Sequence, residues 1–373
     1  MKQPRTGEAA SFEECPRRGL TVLECMSDVG WREVLARTSM IGRRLSPHAV
    51  QERLRALCGP SRIIVVAMLV LVIAGVSNCS TVALGIVNVS AHLGSYERRA
   101  GLPYGVEPRQ LLDVYVPRGA THRPMIVFWY GGMWVRGSRE QYRFVGAALA
   151  NAGYVAVLPD YRVYPEVQYP AFIEDAALAV RWARDHAAEI GGDADALFLM
   201  GHSAGAHIAA TLVLDKKYLR KVGGTREWVR GWIGLSGPYA LELRTPLLHQ
   251  IFHSGGPETW RPIMLARGQS QLPATLLIHG TDDTMVHPRE TVQLEQLLLS
   301  AGVAAECRLY PYRTHTAPVA AFALGLGAVA PTLHDVQQFV ERTLAGRATA
   351  EPCPKLQLRR EWSPGSSTVF NGS

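Results

Sequence analysis

A serine set between two glycines is the first group of residues with chemical promise. Gly201-His202-Ser203-Ala204-Gly205 follows the apolar run ALFLM and precedes the helical pattern AHIAATLVL. On such a strand-to-helix turn the hydroxyl projects above the sheet edge, and the flanking glycines relieve the crowding of the bend. Free N–H groups at the helix N-terminus favour negative charge developing beside them. A second group, Tyr130-Gly131-Gly132-Met133-Trp134, directly follows the run MIVFW. Acyl transfer creates an oxyanion that needs backbone N–H donors, and a loop poor in Cβ atoms can bring them close. Third, His279-Gly280-Thr281-Asp282-Asp283 follows the run ATLLI, so either aspartate could orient a histidine. Fourth, Thr314-His315-Thr316 follows AAECRLYP and puts one of the 12 histidines where a general base is needed, downstream of the acids. Serine, aspartate, histidine is the order in which one class of hydrolase carries these groups. Read singly, the four are a Gly-rich turn, a tight loop, a capping aspartate and an isolated histidine. The strand preceding each one links them.

Such groups need a scaffold that ends several strands on one side. Apolar runs at 111–116, 125–130, 154–158, 196–200, 232–235, 274–279 and 304–309 read as strands. Several are continuous, as in strands buried on both faces. Helical patterns fall between them, at 139–152, 170–189, 204–219, 287–301 and 331–345. In the second, Phe172, Ala176, Val180, Ala183 and Ala187 recur at three- and four-residue spacing and make one apolar face. The alternation predicts an α/β fold over 90–345, with a mostly parallel central sheet and helices on both faces. Residues 238–272 interrupt it and are expected to form a cap or loop insertion, and 346–373, with three prolines and a closing FNGS, a flexible tail.

The composition, 47% apolar and 19% charged over 373 residues, excludes a wholly disordered chain and a coiled coil. Of the net charge of +7, residues 1–62 contribute +4, from 11 Lys/Arg against 7 Asp/Glu. The remainder has no basic stripe interleaved with aromatics, so nucleic acid is not an expected partner. Residues 63–77, IIVVAMLVLVIAGVS, carry no charge, and VALGIVNV extends the apolar stretch to Val89. A spanning helix needs about 20 residues. The segment 63–89 is therefore expected to be a transmembrane signal anchor, with an export signal (cleaved, or lipid-modified at Cys79) and a buried helix as competing readings. The arginines before it would keep the leader 1–62 in the cytoplasm. The rest would then be membrane-associated on the periplasmic or extracellular side. No cysteines have metal-type spacing, so neither a zinc site nor a disulfide framework is expected, and Cys307 is expected to pack as a small hydrophobe.

Together the motifs resemble the α/β-hydrolase fold serine carboxylesterases, in the hormone-sensitive-lipase-like, feruloyl-esterase-like and prenylcysteine-methylesterase-like group. The resemblance covers residues 95–345. YGGMW with VRGSRE resembles the HGGGW oxyanion block, and LPDYRVYPEVQYPAFIEDAALAVRW the family's DYR segment. GHSAGAH resembles the nucleophile elbow, HGTDDTMV the HGxxDxxV pattern, and RTHT a segment of the methylesterase-like group. The resemblance implies Ser203 as nucleophile, His315 as base and Asp283, rather than Asp282, as orienting acid. It implies oxyanion donors at the N–H groups of Gly132, Met133 and Ala204, with Gly131 shaping the loop. It implies structural roles for Asp160 and Arg162, and neither metal nor cofactor. Tyr130 stands where the family has His, and Met133 where it has a third Gly. Tyr130 and Trp134 are expected to contact substrate, although Trp134 could instead pack beneath the site. The implied reaction is hydrolysis of small-molecule carboxylic esters through an acyl-enzyme. An amidase or peptidase on the same triad, formamidase-like, and an inactive binding protein of the same fold are the alternatives.

Overall fold

The runs VAVLP and GWIGL are buried at every position, as strands covered on both faces must be. They lie inside one eight-stranded sheet in the computed structural model, which describes Asn88, Ala91 and residues 94–354 apart from Leu324. The strands are β1 (Tyr96–Pro103), β2 (Leu111–Pro117), β3 (Arg123–Trp129), β4 (Val155–Pro159), β5 (Gly192–His202), β6 (Gly231–Leu235), β7 (Ala274–Gly280) and β8 (Ala305–Tyr310). Their order is β1-β2-β4-β3-β5-β6-β7-β8. β2 pairs antiparallel with both neighbours, and every pair from β4 to β8 is parallel.

The longer helices are α1 (Arg143–Asn151), α2 (Ala171–Asp185), α3 (Ala204–Leu214), α4 (Arg289–Ser300) and α5 (Thr332–Leu344). The chain steps from β3 to β4 in one direction across the sheet and from β4 through β8 in the other. Right-handed crossovers then place α1 on one face and α2, α3 and α4 on the opposite one. α2 buries the face its spacing predicts: Phe172, Ala176, Val180 and Ala183 are fully buried. α3 is buried all round, between β3, β5 and β6 on one side and α2 on the other. Three short helical turns, Pro246–Ile251, Pro257–Trp260 and Pro262–Leu265, fill much of the segment 238–272.

Four features depart from the sequence reading. β1 has no apolar run; it is a half-exposed edge strand, joined to β2 partly by the Arg98–Asp113 ion pair. Cys307 is not a free packing thiol but is joined to Cys353 by a disulfide. The tail expected to be flexible is held as far as it is described: Glu351 bridges to β8 through Glu351 N–H on Ala305 O and Cys307 N–H on Glu351 O, 2.9 and 3.0 Å. Finally, the membrane segment expected at 63–89 lies outside the described residues except for Asn88. That residue belongs to the folded domain, since its side chain accepts from Phe144 N–H at the start of α1 and donates to the carbonyls of Glu140 and Gln141. Among the described residues no helix is long and apolar enough to cross a membrane.

Candidate active site

The sheet reverses its direction of growth at β3, so the chain leaves β3 and β5 toward opposite sides, the switch point outside whose carboxyl ends open α/β sheets place their sites. All four residue groups singled out in the sequence follow strands of this neighbourhood: β3, β5, β7 and β8.

Ser203 sits between β5 and α3 with φ 55° and ψ −119°, a left-handed conformation that non-glycine residues rarely adopt. Its N–H donates to Leu235 O at 2.9 Å and its carbonyl accepts from His207 N–H at 3.1 Å, so both sides of the strained residue are tied down. The glycines of the motif permit this turn by lacking side chains. A Cβ on Gly201 would run into the backbone of Gly205, and one on Gly205 into the Trp129 carbonyl. The serine is buried, with 9% of its surface exposed.

The loop after β3 lies against this turn. A Cβ on Gly131 would come within 2.9 Å of Ser203 Cβ. Gly132, Met133 and Trp134 all have positive φ (140°, 54° and 59°), and Gly132 O accepts from the N–H groups of Val135 and Arg136. The N–H groups of Gly132 and Met133 have no hydrogen-bond partner among the described residues, and that of Ala204 begins α3. First-turn N–H groups have no partner inside their own helix.

Asp283 and His315 meet at the ends of β7 and β8. His315 Nδ1 lies 2.7 Å from Asp283 Oδ2, both groups being buried. Asp283 Oδ1 accepts from the N–H groups of Met285 and Val286, each at 2.9 Å. Burial works to raise this carboxyl, but the hydrogen bonds of His279 and His315 outweigh it and hold Asp283 well below the usual carboxylate range. Asp282 is exposed and bonds only with its own loop and Arg313. The choice between the adjacent aspartates is therefore made by burial. His202 Nε2 donates to the His315 carbonyl at 3.2 Å, and the two rings lie 5.1 Å apart, which puts His315 beside the residue preceding Ser203. Burial, and then the neighbouring His315, pushes His202 down to about 3, so it stays neutral.

The two residues expected to contact substrate are both buried. Tyr130 is 1% exposed, stacked on Tyr161 and Tyr142 with centroids 4.7 and 5.8 Å away. Trp134 is 3% exposed and packs edge-on against Phe252 and His207. The loop turns both rings inward, which for Trp134 is the packing alternative. Asp160 takes the Arg139 guanidinium and, at 2.7 Å, the Arg139 N–H, while Arg162 pairs with buried Asp175 at 2.7 Å. Both thereby brace the strand ends behind the loop.

Sequence reasoning passed over two residues. Arg109, between β1 and β2, donates to Tyr130 Oη (3.1 Å), Gly137 O (2.8 Å) and Tyr161 O (3.0 Å), clamping both ends of the 131–137 loop. Nothing in its sequence neighbourhood signals this. His279 makes the second imidazole contact to Asp283, with Nε2 2.9 Å from Oδ2, and its place in HGTDD was the available signal. Among the described residues no group of three or more His, Cys, Asp or Glu is arranged to hold a metal ion.

The chain has counterparts among known proteins. A family model described as BD-FAE matches residues 112–223, and one for the prolyl oligopeptidase family matches residues 171–345. A probable isoprenylcysteine α-carbonyl methylesterase of Arabidopsis thaliana is 31% identical over 244 residues, 59% of this chain and 51% of that protein. Esterase LipC of Mycobacterium tuberculosis is 33% identical over 211 residues, 51% of this chain and 52% of its own. The chain thus spans about half the length of these relatives. Thermogutta terrifontis esterase 2, solved as a form phosphoramylated by tabun, superposes with a TM-score of 0.56 at 26% identity, over 68% of this chain and 96% of that one.

Proposed function

We propose, from the premise that this chain is an α/β-hydrolase of the esterase kind, that it is a serine carboxylesterase working through an acyl-enzyme. The observation that carries the reading is the His315–Asp283 hydrogen bond, with His315 against His202, the residue before a serine held at φ 55°. With Nδ1 bound to Asp283, His315 has Nε2 left to take a proton. Ser203 Oγ attacks the ester carbonyl carbon as His315 accepts its proton. The N–H groups of Gly132, Met133 and Ala204 receive the oxyanion. Collapse expels the alcohol, which leaves with the proton from His315. Water then attacks the acyl-enzyme with His315 again as base, releasing the acid and restoring Ser203. Asp283, ionised by its four donors, holds the ring in the tautomer this sequence needs.

The match to the prolyl oligopeptidase family over 171–345 favours a second reading, an amide-bond hydrolase on the same residues. One experiment addresses both. The full chain and its Ser203→Ala variant are assayed on p-nitrophenyl acetate, butyrate and octanoate, on a methyl ester, and on a matched ester and anilide. Ser203-dependent ester turnover well above the anilide rate is the expected result. Anilide preference would move the reading to an amidase. Folded protein with neither activity, and no labelling of Ser203 by an organophosphonate, would sink both readings and leave an inactive binding protein of this fold.

The apolar segment from residue 63 is read as a membrane anchor with the catalytic domain on the exported side. The Cys307–Cys353 disulfide supports this, because such bonds persist in oxidising compartments. Alkylation of membrane-fraction protein under non-reducing conditions, followed by mass spectrometry, tests it. Free thiols at both positions, or the protein in the soluble fraction, would count against the placement.

A further inference from the structure

His279 is the last residue but one of β7 and is completely buried. Its Nε2 faces two acceptors, Asp283 Oδ2 at 2.9 Å and Val286 O at 3.0 Å. A nitrogen between two acceptors must carry the proton. Its Nδ1 lies 2.6 Å from the hydroxyl of Thr291, a buried residue on α4. The ring is thus fixed in place and in tautomer from outside the catalytic group. What it donates to is the same oxygen, Oδ2, that holds His315 at 2.7 Å.

A buried imidazole is costly where an apolar side chain would fill the space, unless its polar atoms are used. Here one of them is used on the acid. The two amides on Oδ1 hold one end of the Asp283 carboxylate, and His279 holds the other. With both oxygens bound, the carboxylate plane cannot rotate away from His315. Other ionisable side chains that act on this cluster include His202, which bonds the His315 carbonyl, and His287.

We infer that His279 is a positioning residue for the esterase reaction proposed above: it pins Asp283 Oδ2 so that His315 keeps Nε2 available to Ser203. It acts through Asp283 and does not touch the reacting atoms. The inference rests on the esterase reading for its kinetic consequence, but not for the hydrogen bond itself.

The test compares the full chain with its His279→Leu, His279→Gln and Thr291→Val variants. Active sites are counted by organophosphonate labelling, and the low-field ¹H NMR resonance of the His315 Nδ1–H bound to Asp283 is followed. For His279→Leu, kcat per active site should fall about tenfold to a hundredfold with KM unchanged, as for a misplaced catalytic group. The low-field resonance should shift or broaden. His279→Gln, which keeps an N–H donor, should recover most of both. Thr291→Val should show a smaller loss in the same direction. If His279→Leu lowers Tm but leaves kcat and the resonance at wild-type values, His279 only fills space and the inference is overturned. Should that variant not fold, wild-type kcat and resonance in Thr291→Val overturn it equally. Absence of Ser203-dependent hydrolysis in the wild type would fail the esterase reading alone, and the resonance would still decide on His279.

Discussion

At the ends of β3 and β5 the main chain itself is bent into the site, whereas at the ends of β7 and β8 side chains hold it together. The first region has four residues in a row or in contact at positive φ: Gly132, Met133, Trp134 and Ser203. Its polar equipment is backbone N–H, and it is kept in shape by what is missing, the Cβ atoms of Gly131, Gly201 and Gly205. In the second region only Tyr312, three residues before His315, has a positive φ, and the working groups are a carboxylate and two imidazoles. The difference teaches where each half is fragile. Strained backbone fails when an atom is added. A side-chain hydrogen-bond chain fails when an atom is exchanged.

The sharpest test of that contrast is Asp283→Asn. It swaps one oxygen for nitrogen and leaves two of the four buried donors facing an N–H group, so Tm should fall, and kcat on p-nitrophenyl acetate should fall by about 10⁴, the cost of presenting the wrong tautomer. A loss below tenfold would mean something other than Asp283 orients His315. In the other half, Gly131→Ala adds one methyl group against Ser203 Cβ and shifts the donors. We expect kcat to drop by about 10²–10³, the range for losing an oxyanion donor. Full activity in that variant would remove the loop from the mechanism.

The clamp behind the loop offers a milder perturbation. Arg109→Met deletes three hydrogen bonds to Tyr130, Gly137 and Tyr161. Hydrogen bonds from a charged group contribute about 1.5–3 kcal/mol each when lost singly, and three sharing one side chain are not additive. The expected result is a lower midpoint of urea unfolding together with lower kcat. Lost stability with kcat intact would show that the strained loop keeps its shape unaided.

The smallest effect concerns pH. His207, one turn beyond Ser203 on α3, donates Nε2–H to Trp260 O at 2.7 Å, and burial depresses it from 6.5 to about 4. The unfolded chain therefore takes up a proton near pH 6.5 that the folded chain refuses until about pH 4. Stability from this group is present above pH 6.5 and is lost as pH falls toward 4, by roughly 3 kcal/mol at most. Thermal unfolding at pH 8 and pH 4.5 should show a smaller acid-side drop in His207→Gln than in wild type. Equal drops would assign the acid sensitivity elsewhere.

The α/β alternation was legible because its causes are local. Seven of the eight strands are apolar runs, and α2 and α4 follow three- and four-residue spacings. Ser203 with its glycines was equally readable, since a strand turning at once into a helix needs those residue types wherever it occurs. Edge strand β1 escaped because a strand exposed on one side, braced by Arg98 on Asp113, needs no apolar run. Between Asp282 and Asp283 the residues alone leave both open and the family pattern points to Asp283; the physical reason, that the loop buries Asp283 and leaves Asp282 exposed, is visible only in the tertiary structure. That structure alone could bury Tyr130 and Trp134, set Arg109 behind a loop that begins 22 residues later, and join Cys307 to Cys353 across 46 residues. Each of these depends on a distance between segments remote in the chain, and pattern within a segment carries no information about that distance.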